Sequence, residues 1–161
     1  MRRSFIFSFA LAIVATTAAL ASPAPLKWPP WLSVESPVNP YDPGARGALM
    51  LVHVAFREGD ASMSDLSGTA EGIVAGGRRS IPLRFTETGR ANTFALRRQW
   101  PAEGTWLVKL AVRQTTALVT FDRQGAVASV RVPVSRSGDM ELPRAVSPRE
   151  VDSTLVAASR R

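Results

Sequence analysis

Apolar and polar residues alternate along several short segments, and the clearest alternation lies in residues 92–113. On both sides of a Pro-Ala-Glu-Gly sequence, every second residue is apolar: Phe94, Leu96, Trp106, Val108, Leu110 and Val112. A period of two places the apolar side chains of a β-strand on one face. Pro101 presets φ for a turn, and Gly104 accepts the left-handed conformation that closes a bulged hairpin. The pattern therefore predicts a hairpin whose apolar face needs a second layer to cover it.

Six further segments carry strand signals: residues 31–35, 48–56, 66–74, 79–86, 116–121 and 126–134. Residues 48–56 are apolar on both faces, which is typical of a strand in the middle of a sheet. Gly68 and Gly72 weaken residues 66–74, which we expect to be bulged or closely packed. Pro82 cannot donate a backbone hydrogen bond, so it places residues 79–86 at a sheet edge.

The final predicted strand, residues 126–134, follows a turn at residues 122–125. Its even-numbered residues are small or apolar and are expected to face inward: Ala126, Ala128, Val130, Val132 and Val134. Together with the two hairpin strands this makes seven to eight short strands with no long helical pattern between them. The sequence predicts an all-β fold, an Ig-like antiparallel β-sandwich.

The C-terminal part is predicted to be a loop, residues 135–147, followed by a short helix. Ser147, Pro148 and Glu150 form a capping box with proline at the first helical position. The helix should extend to about residue 158, with Val151 and Leu155 on one face. The sequence is compatible both with a helix that docks on the sandwich and with one that frays.

The N-terminus has the pattern of a secretory signal peptide at residues 1–21. Arg2 and Arg3 precede an apolar run at residues 5–20, and Ala19-Leu20-Ala21 supplies the small residues that precede cleavage. The alternative is an uncleaved membrane anchor, for which the run is short. Cleavage predicts a periplasmic or secreted protein without a transmembrane anchor.

Three segments are predicted after the signal peptide. Residues 22–44 contain seven prolines and form an extended N-terminal segment with at most one short strand. Residues 45–135 form the sandwich, and residues 136–161 form the loop and the helix. The length of 161 residues and the hydrophobic content of 45% fit one globular domain.

Charge and cysteine content narrow the class of protein. The net charge is +7, and removal of two arginines with the signal peptide leaves +5. Such an excess favours anionic partners without requiring one. Because the chain has no cysteine, it can form neither a disulfide, a lipoprotein anchor nor a thiolate metal site.

Catalytic and cofactor motifs are missing from the sequence. A single histidine, His53, lies inside a predicted strand, and no serine has the G-x-S-x-G frame of a nucleophile elbow. The glycines of residues 72–77 precede a strand and not a phosphate-binding helix. We therefore expect a protein that is not an enzyme and has no cofactor.

A copper site is the weak metal alternative, because copper prefers histidine and methionine ligands. His53 and Met63 are the candidates, whereas Met50 points to the opposite face of the strand from His53. Two ligands make a poor site. The competing interpretation, which we favour, is a His53 that hydrogen-bonds on a sheet face and a Met50 that fills the core.

Three tryptophans could form an aromatic platform for a carbohydrate: Trp28, Trp31 and Trp100. Trp28 and Trp31 flank Pro29-Pro30, and the competing interpretation is that they close one end of the core.

Four basic residues at outward strand positions are the candidate binding residues: Arg84, Arg97, Lys109 and Arg131. If they share one sheet, they form a basic face that suits an anionic envelope component or an acidic protein. The alternative is a solvated face whose charges protect sheet edges. Arg98 breaks the alternation and requires a bulge or an acidic partner. No stacking motif accompanies the charges, so nucleic acid is not an expected partner.

The chain resembles the small extracytoplasmic Ig-like modules of bacteria, of the YtkA-like and FixH-type kind. The resemblance covers residues 52–112 and rests on three sequence segments. These are Leu66-Ser67-Gly68-Thr69-Ala70-Glu71-Gly72, Ile81-Pro82-Leu83-Arg84-Phe85, and Phe94-Ala95-Leu96 followed by Pro101-Ala102-Glu103-Gly104-Thr105-Trp106-Leu107-Val108. It implies a binding or accessory domain linked to metal handling or to membrane-complex assembly. The chain lacks the histidine- and methionine-rich loops of the copper-handling relatives.

The function that these features predict is an exported, non-catalytic interaction module. Its partner would be an extracytoplasmic protein or an anionic envelope surface. A copper-binding periplasmic accessory protein and a carbohydrate-binding module are the alternatives.

Overall fold

The computed structural model describes residues 29–56 and 65–160, and this part of the chain has the all-β fold that the alternation predicts. Its strands are β1 Trp31–Glu35, β2 Met50–Ala55, β3 Leu66–Val74, β4 Gly77–Pro82, β5 Thr86–Glu87, β6 Thr93–Leu96, β7 Thr105–Val112, β8 Thr115–Phe121, β9 Val127–Arg131, β10 Val134–Ser137 and β11 Met140–Pro143. A 3₁₀ turn, Pro43–Ala45, precedes β2, and one α-helix, α1, spans Pro148–Ser159. The predicted signal peptide lies outside the described residues.

Two antiparallel sheets enclose the core. One has the strand order β1-β2-β6-β5 and the other the order β4-β3-β7-β8-β9, while β10 and β11 form a separate hairpin. The inward residues of both sheets belong to a single buried cluster that includes Met50, Val52, Phe94, Leu96, Trp106, Val108, Leu110 and Val119. Although β1 lies in the proline-rich segment, it pairs with β2, so the described part of the sandwich begins at Trp31.

The two strands with unusual composition are both central, each for its own reason. β2 lies between β1 and β6, and its outward Leu51 is as fully buried as its inward neighbours, which explains its apolar character on both faces. β3 pairs in unbroken register with β4 and β7. A Cβ atom at Gly72 would lie 2.3 Å from the ring of Trp106, and one at Gly68 would lie 2.9 Å from Phe85. Close packing, and not a bulge, therefore accounts for the glycines.

The prediction that residues 92–113 form a hairpin is wrong. β6 pairs with β2 and β5, whereas β7 pairs with β3 and β8 in the other sheet. Residues 97–104 therefore cross from one sheet to the other. Strands of opposite sheets alternate in the same way because their apolar faces cover the same core, so periodicity cannot assign two strands to one sheet. Gly104 does have positive φ, at +90°, where the crossing passes the carbonyl of Ile73.

The predicted strand at residues 79–86 is divided in the same way. β4 ends at Pro82, on the edge of the five-stranded sheet as predicted, and the chain continues as β5 on the edge of the four-stranded sheet. Leu83 and Phe85 face the core in between. Pro82 cannot donate to the ladder, and the last main-chain bond to the five-stranded sheet runs from the amide of Leu83 to the carbonyl of Gly68 (2.9 Å), after which the chain changes sheets.

The structure corrects the predictions for the strand at residues 126–134 and for the loop at residues 135–147. The final predicted strand ends at Arg131, and Val130 and Val134 are each 40% exposed instead of facing inward. The β8–β9 register shifts at Thr120/Phe121, and β9 lies at the edge of its sheet. The predicted loop at residues 135–147 contains the β10–β11 hairpin.

The C-terminal helix and its capping box are confirmed. The hydroxyl of Ser147 accepts from the amide of Glu150, and Glu150 accepts from the amide of Ser147 (2.9 Å). Val151 and Leu155 pack on the outer face of the five-stranded sheet, so the helix docks and does not fray. Within residues 29–56 and 65–160, no helix combines the length and the apolarity that crossing a bilayer requires.

Candidate functional site

The four predicted basic residues do not lie on one face. Lys109 and Arg131 are on the outer face of the five-stranded sheet, in one cross-strand row with Leu118 between them. Because α1 packs on Leu118, the helix separates the two charges. Arg97 continues the outward positions of β6 in the other sheet. The single basic face predicted from the alternation is therefore not formed.

The structure does bring Arg84 and Arg97 together, through the side chain of Gln99. The amide group of Gln99 donates to the carbonyl oxygen of Arg84 (2.7 Å) and to that of Arg97 (3.4 Å), and its oxygen accepts from the amide of Arg84 (2.9 Å). The guanidinium of Arg97 donates to the carbonyl of Arg46 (3.0 Å). We call Arg46, Arg84 and Arg97 the basic patch.

Five other arginines of the described chain form ion pairs, and the three residues of the basic patch do not. Within the described ranges, the arginines in ion pairs are Arg78 with Glu71 and Asp152, Arg90 with Glu35 and Asp42, Arg113 with Asp65, Arg136 with Glu141, and Arg144 with Glu150. No carboxylate of residues 29–56 or 65–160 forms an ion pair with the three patch residues, all of which are exposed. Sequence reasoning missed Arg46, because it lies in a loop where alternation carries no information.

His53 forms a hydrogen-bonded network on the outer face of the four-stranded sheet. Its Nε2 lies 3.1 Å from Oε2 of Glu35, and its Nδ1 lies 3.2 Å from the hydroxyl of Thr93. Arg90 extends the network, because one guanidinium nitrogen lies 3.3 Å from both Glu35 and Asp42. The prediction that His53 hydrogen-bonds on a sheet face is confirmed.

This network does not have the geometry of a metal or nucleophile site. Met50 is buried in the core on the other side of β2, and Met63 lies outside the described residues. In the described part of the chain, no three histidine or acidic side chains are grouped so that they could hold a metal ion. The hydroxyl of Thr93 is buried and donates to the carbonyl of Ala91 (3.0 Å), so it is not free to attack a substrate. The network joins β1, β2 and β6.

The predicted aromatic platform is not formed by its two described members. Trp31 is half exposed and lies opposite Ala55 at one end of β2. Trp100 lies beyond the last residue of β6, Leu96. Because Leu96 pairs with Met50 at the other end of β2, the two tryptophans lie toward opposite ends of that strand. Trp100 is only 6% exposed and packs against Phe121 with 5.4 Å between ring centroids. It belongs to the core, and Trp28 lies outside the described residues.

Within residues 29–56 and 65–160, Arg98 has neither the bulge nor the acidic partner that the alternation predicts. β6 ends at Leu96, so Arg98 is no longer part of the alternation. Its guanidinium donates to the carbonyl oxygens of Trp100 (3.3 Å), Pro101 (3.0 Å) and Ala102 (3.4 Å). The crossing segment thus folds around this side chain.

Two carboxylates beside α1 are held in their ionised form. Burial is the largest influence on Glu71 and by itself would raise its pKa, but hydrogen bonds from neighbours including Ser80 (2.8 Å) and Arg78 (3.3 Å) lower the pKa below its ordinary value. The Arg144 guanidinium and, after it, Ser147 lower the pKa of Glu150 far below its ordinary value. Both carboxylates hold the helix region together and are not binding groups.

No family model, curated protein or solved structure matches the chain.

Proposed function

We propose that this protein is an exported, non-catalytic binding module whose basic patch engages an anionic partner, either a protein or an envelope surface. The observation that supports this is the grouping of Arg46, Arg84 and Arg97 without a described acidic partner. Guanidinium groups bind carboxylates and phosphates through two parallel hydrogen bonds, which suits them to acidic side chains and to lipid headgroups.

The patch is partly organised before a partner arrives. Gln99 holds the main chain of Arg84 and Arg97, and the carbonyl of Arg46 holds the guanidinium of Arg97. A side chain that is already ordered loses less conformational entropy on binding, so more of the interaction free energy appears as affinity. The other two predicted basic residues, Lys109 and Arg131, share no such hydrogen-bonded support within the described residues.

Export to the periplasm or the cell exterior is supported by the signal-peptide pattern and by the resemblance to extracytoplasmic accessory modules. The lack of enzyme motifs and the closed Thr93–His53 arrangement support a binding role. Binding through charge predicts strong dependence on ionic strength, because salt screens charges over about 8–10 Å near physiological concentration.

Affinity capture from an envelope extract at low and moderate salt tests the proposal. The bait is the exported protein, compared with a variant carrying Arg84→Glu and Arg97→Glu. The matched control carries Lys109→Glu and Arg131→Glu, which changes net charge equally on the helix-covered face. We expect the wild type and the control to retain the same salt-sensitive partner and the patch variant to lose it.

Equal capture by all three proteins would contradict the patch as the binding surface. Equal loss in both variants would indicate attraction by net charge alone. In parallel, co-sedimentation with phosphatidylglycerol vesicles, and with phosphatidylcholine vesicles as the neutral reference, distinguishes a lipid surface from a protein partner.

A further inference from the structure

A cleft of about 600 Å³ opens at one end of the sandwich, and its lining includes none of the basic patch residues. Three segments surround it: the crossing between the two sheets, the β8–β9 turn and the C-terminal end of α1. Its lining includes Arg98, Trp100, Trp106, Phe121, Asp122 and Ala128. The volume lies within the range of small-molecule sites, about 300–1,000 Å³.

Aromatic rings form the inner surface of the cleft. Trp100 and Phe121 pack at a tilt of 44°, and Trp106 lies beside them in the lining. The indole N–H of Trp106 donates to the carbonyl of Glu103 (2.8 Å), so the part of this ring that reaches the cleft is apolar. Both tryptophans are largely buried, and the Arg98 guanidinium carbon lies over the Trp100 ring, 5.9 Å from its centroid, whereas Phe121 is only partly buried. This surface suits a flat apolar group.

The guanidinium of Arg98 belongs to the lining of the cleft. The Nε and Nη2 atoms of Arg98 are held by backbone carbonyls, but its Nη1 has no hydrogen-bond partner within the described residues. A Cβ atom at Gly125 would lie 3.1 Å from Nη1, so this nitrogen packs closely against the β8–β9 turn.

The carboxylate of Asp122 also belongs to the lining, and one of its oxygens is engaged by the backbone. Asp122 directs Oδ1 into its own turn, where it accepts from the amides of Gln124 and Ala126, each at 2.9 Å. Arg98 forms no ion pair with any carboxylate of the described ranges. Its guanidinium is therefore fixed in position, charged, and provided with unused N–H donors beside an aromatic surface.

We propose that this cleft binds a small planar organic anion. The flat apolar body would lie against Phe121 and the two tryptophans, and a carboxylate or sulfonate would accept hydrogen bonds from Nη1 of Arg98. This site uses none of the basic patch residues, so it stands or falls separately from the proposed function.

Fluorescence titration with 8-anilinonaphthalene-1-sulfonate, an aromatic sulfonate with a flat naphthalene ring system, tests the proposal on the exported protein. We expect saturable binding at one site. N-phenyl-1-naphthylamine, which has the same rings without the sulfonate, should bind at least about tenfold more weakly, because it cannot form the charge-assisted hydrogen bond.

Two variants locate the probe. Ala128→Phe places a large side chain at the mouth and should weaken binding at least about tenfold, as should Arg98→Met, which removes the charge. Ala126→Phe is the matched control, because Ala126 is exposed on the same segment and does not line the cleft. The Arg84→Glu, Arg97→Glu variant should bind the probe as the wild type does.

Thermal unfolding of each variant shows whether its fold is intact, since loosely packed proteins also bind this probe. Equal affinity of Ala128→Phe and Ala126→Phe for the probe would overturn the proposal. So would equal affinity of the wild type for the sulfonate and its neutral analogue, a comparison that needs no variant to fold.

Discussion

The outer faces of the two sheets are covered in different ways. On the five-stranded sheet, α1 packs four large apolar residues into one buried cluster: Leu107, Leu118, Val151 and Leu155. On the four-stranded sheet, the segment after β1 covers a smaller cluster of Leu51, Ala45 and Ala95. Beside this cluster lies the ionic network of Glu35, Asp42, Arg90 and His53.

The difference follows from what each covering segment can supply. A helix presents large side chains at a spacing that fits a sheet face. A segment rich in proline and glycine supplies few large apolar groups, so charged side chains from neighbouring loops complete the cover. Apolar burial is strong and insensitive to salt, whereas exposed ion pairs are weak and screened. The two faces should therefore respond differently to mutation, pH and salt.

The largest expected effect comes from the helix side. Leu155→Ala removes a fully buried side chain from the contact between α1 and the sheet, and should lower the free energy of unfolding by about 2–5 kcal/mol. Urea denaturation measures this. Val156→Ala, on an exposed position of the same helix, is the control and should change stability by less than about 0.5 kcal/mol. Similar values for both variants would mean that the helix contributes little to the fold.

An intermediate effect is expected from the buried carboxylate beneath the helix. Glu71→Gln keeps the shape but removes the charge that accepts from Ser80 and Arg78, and should cost about 1.5–3 kcal/mol at neutral pH. The folded protein lowers the pKa of Glu71 below 4.5, so its stabilising effect is present above that pH and is lost as pH falls through the folded pKa.

Denaturant unfolding at several pH values checks this sign. The stability difference between wild type and Glu71→Gln should be constant near neutral pH and should narrow below about pH 4.5. A difference that stays constant into the acid range would show that Glu71 contributes by shape alone.

The smallest effect is expected on the four-stranded side. Arg90→Ala removes the cation that joins Glu35 to Asp42, and should cost about 0.2–1 kcal/mol at low salt and less at high salt. Arg79→Ala serves as reference, because Arg79 is exposed and has no ion pair within the described residues. Thermal melts at two salt concentrations compare them. A large, salt-independent loss for Arg90→Ala would place this network among the main supports of the fold.

Local features were predictable and sheet membership was not. β1 and β3 have the bounds that alternation indicates, and the capping box of Ser147 and Glu150 identifies the start of α1. Residues 92–113 show the limit, because two strands of opposite sheets carry the same pattern as a hairpin. The β10–β11 hairpin was missed for a related reason, since its strands are short and mostly exposed, which leaves no buried face to mark them.

The candidate sites depended even more on tertiary contacts. Arg84 and Arg97 were identifiable as outward cations, but Gln99 and Arg46 joined them through hydrogen bonds that no spacing in the sequence reveals. Trp100 looked available for a ligand and is buried, because the crossing segment turns it into the core. The cleft beside it is built from three segments that are distant in the chain.

By itself the sequence determined the all-β class, the capped helix, the central position of β2 and the edge position of β4. These depend on side-chain period, on proline and on the capping residues, which act within a few positions. Only the tertiary structure decided which strands share a sheet, which cations lie together and what covers each outer face. Those outcomes depend on contacts between segments that are distant in the chain. The local pattern of one segment is often compatible with more than one partner segment, so the pattern does not select between them.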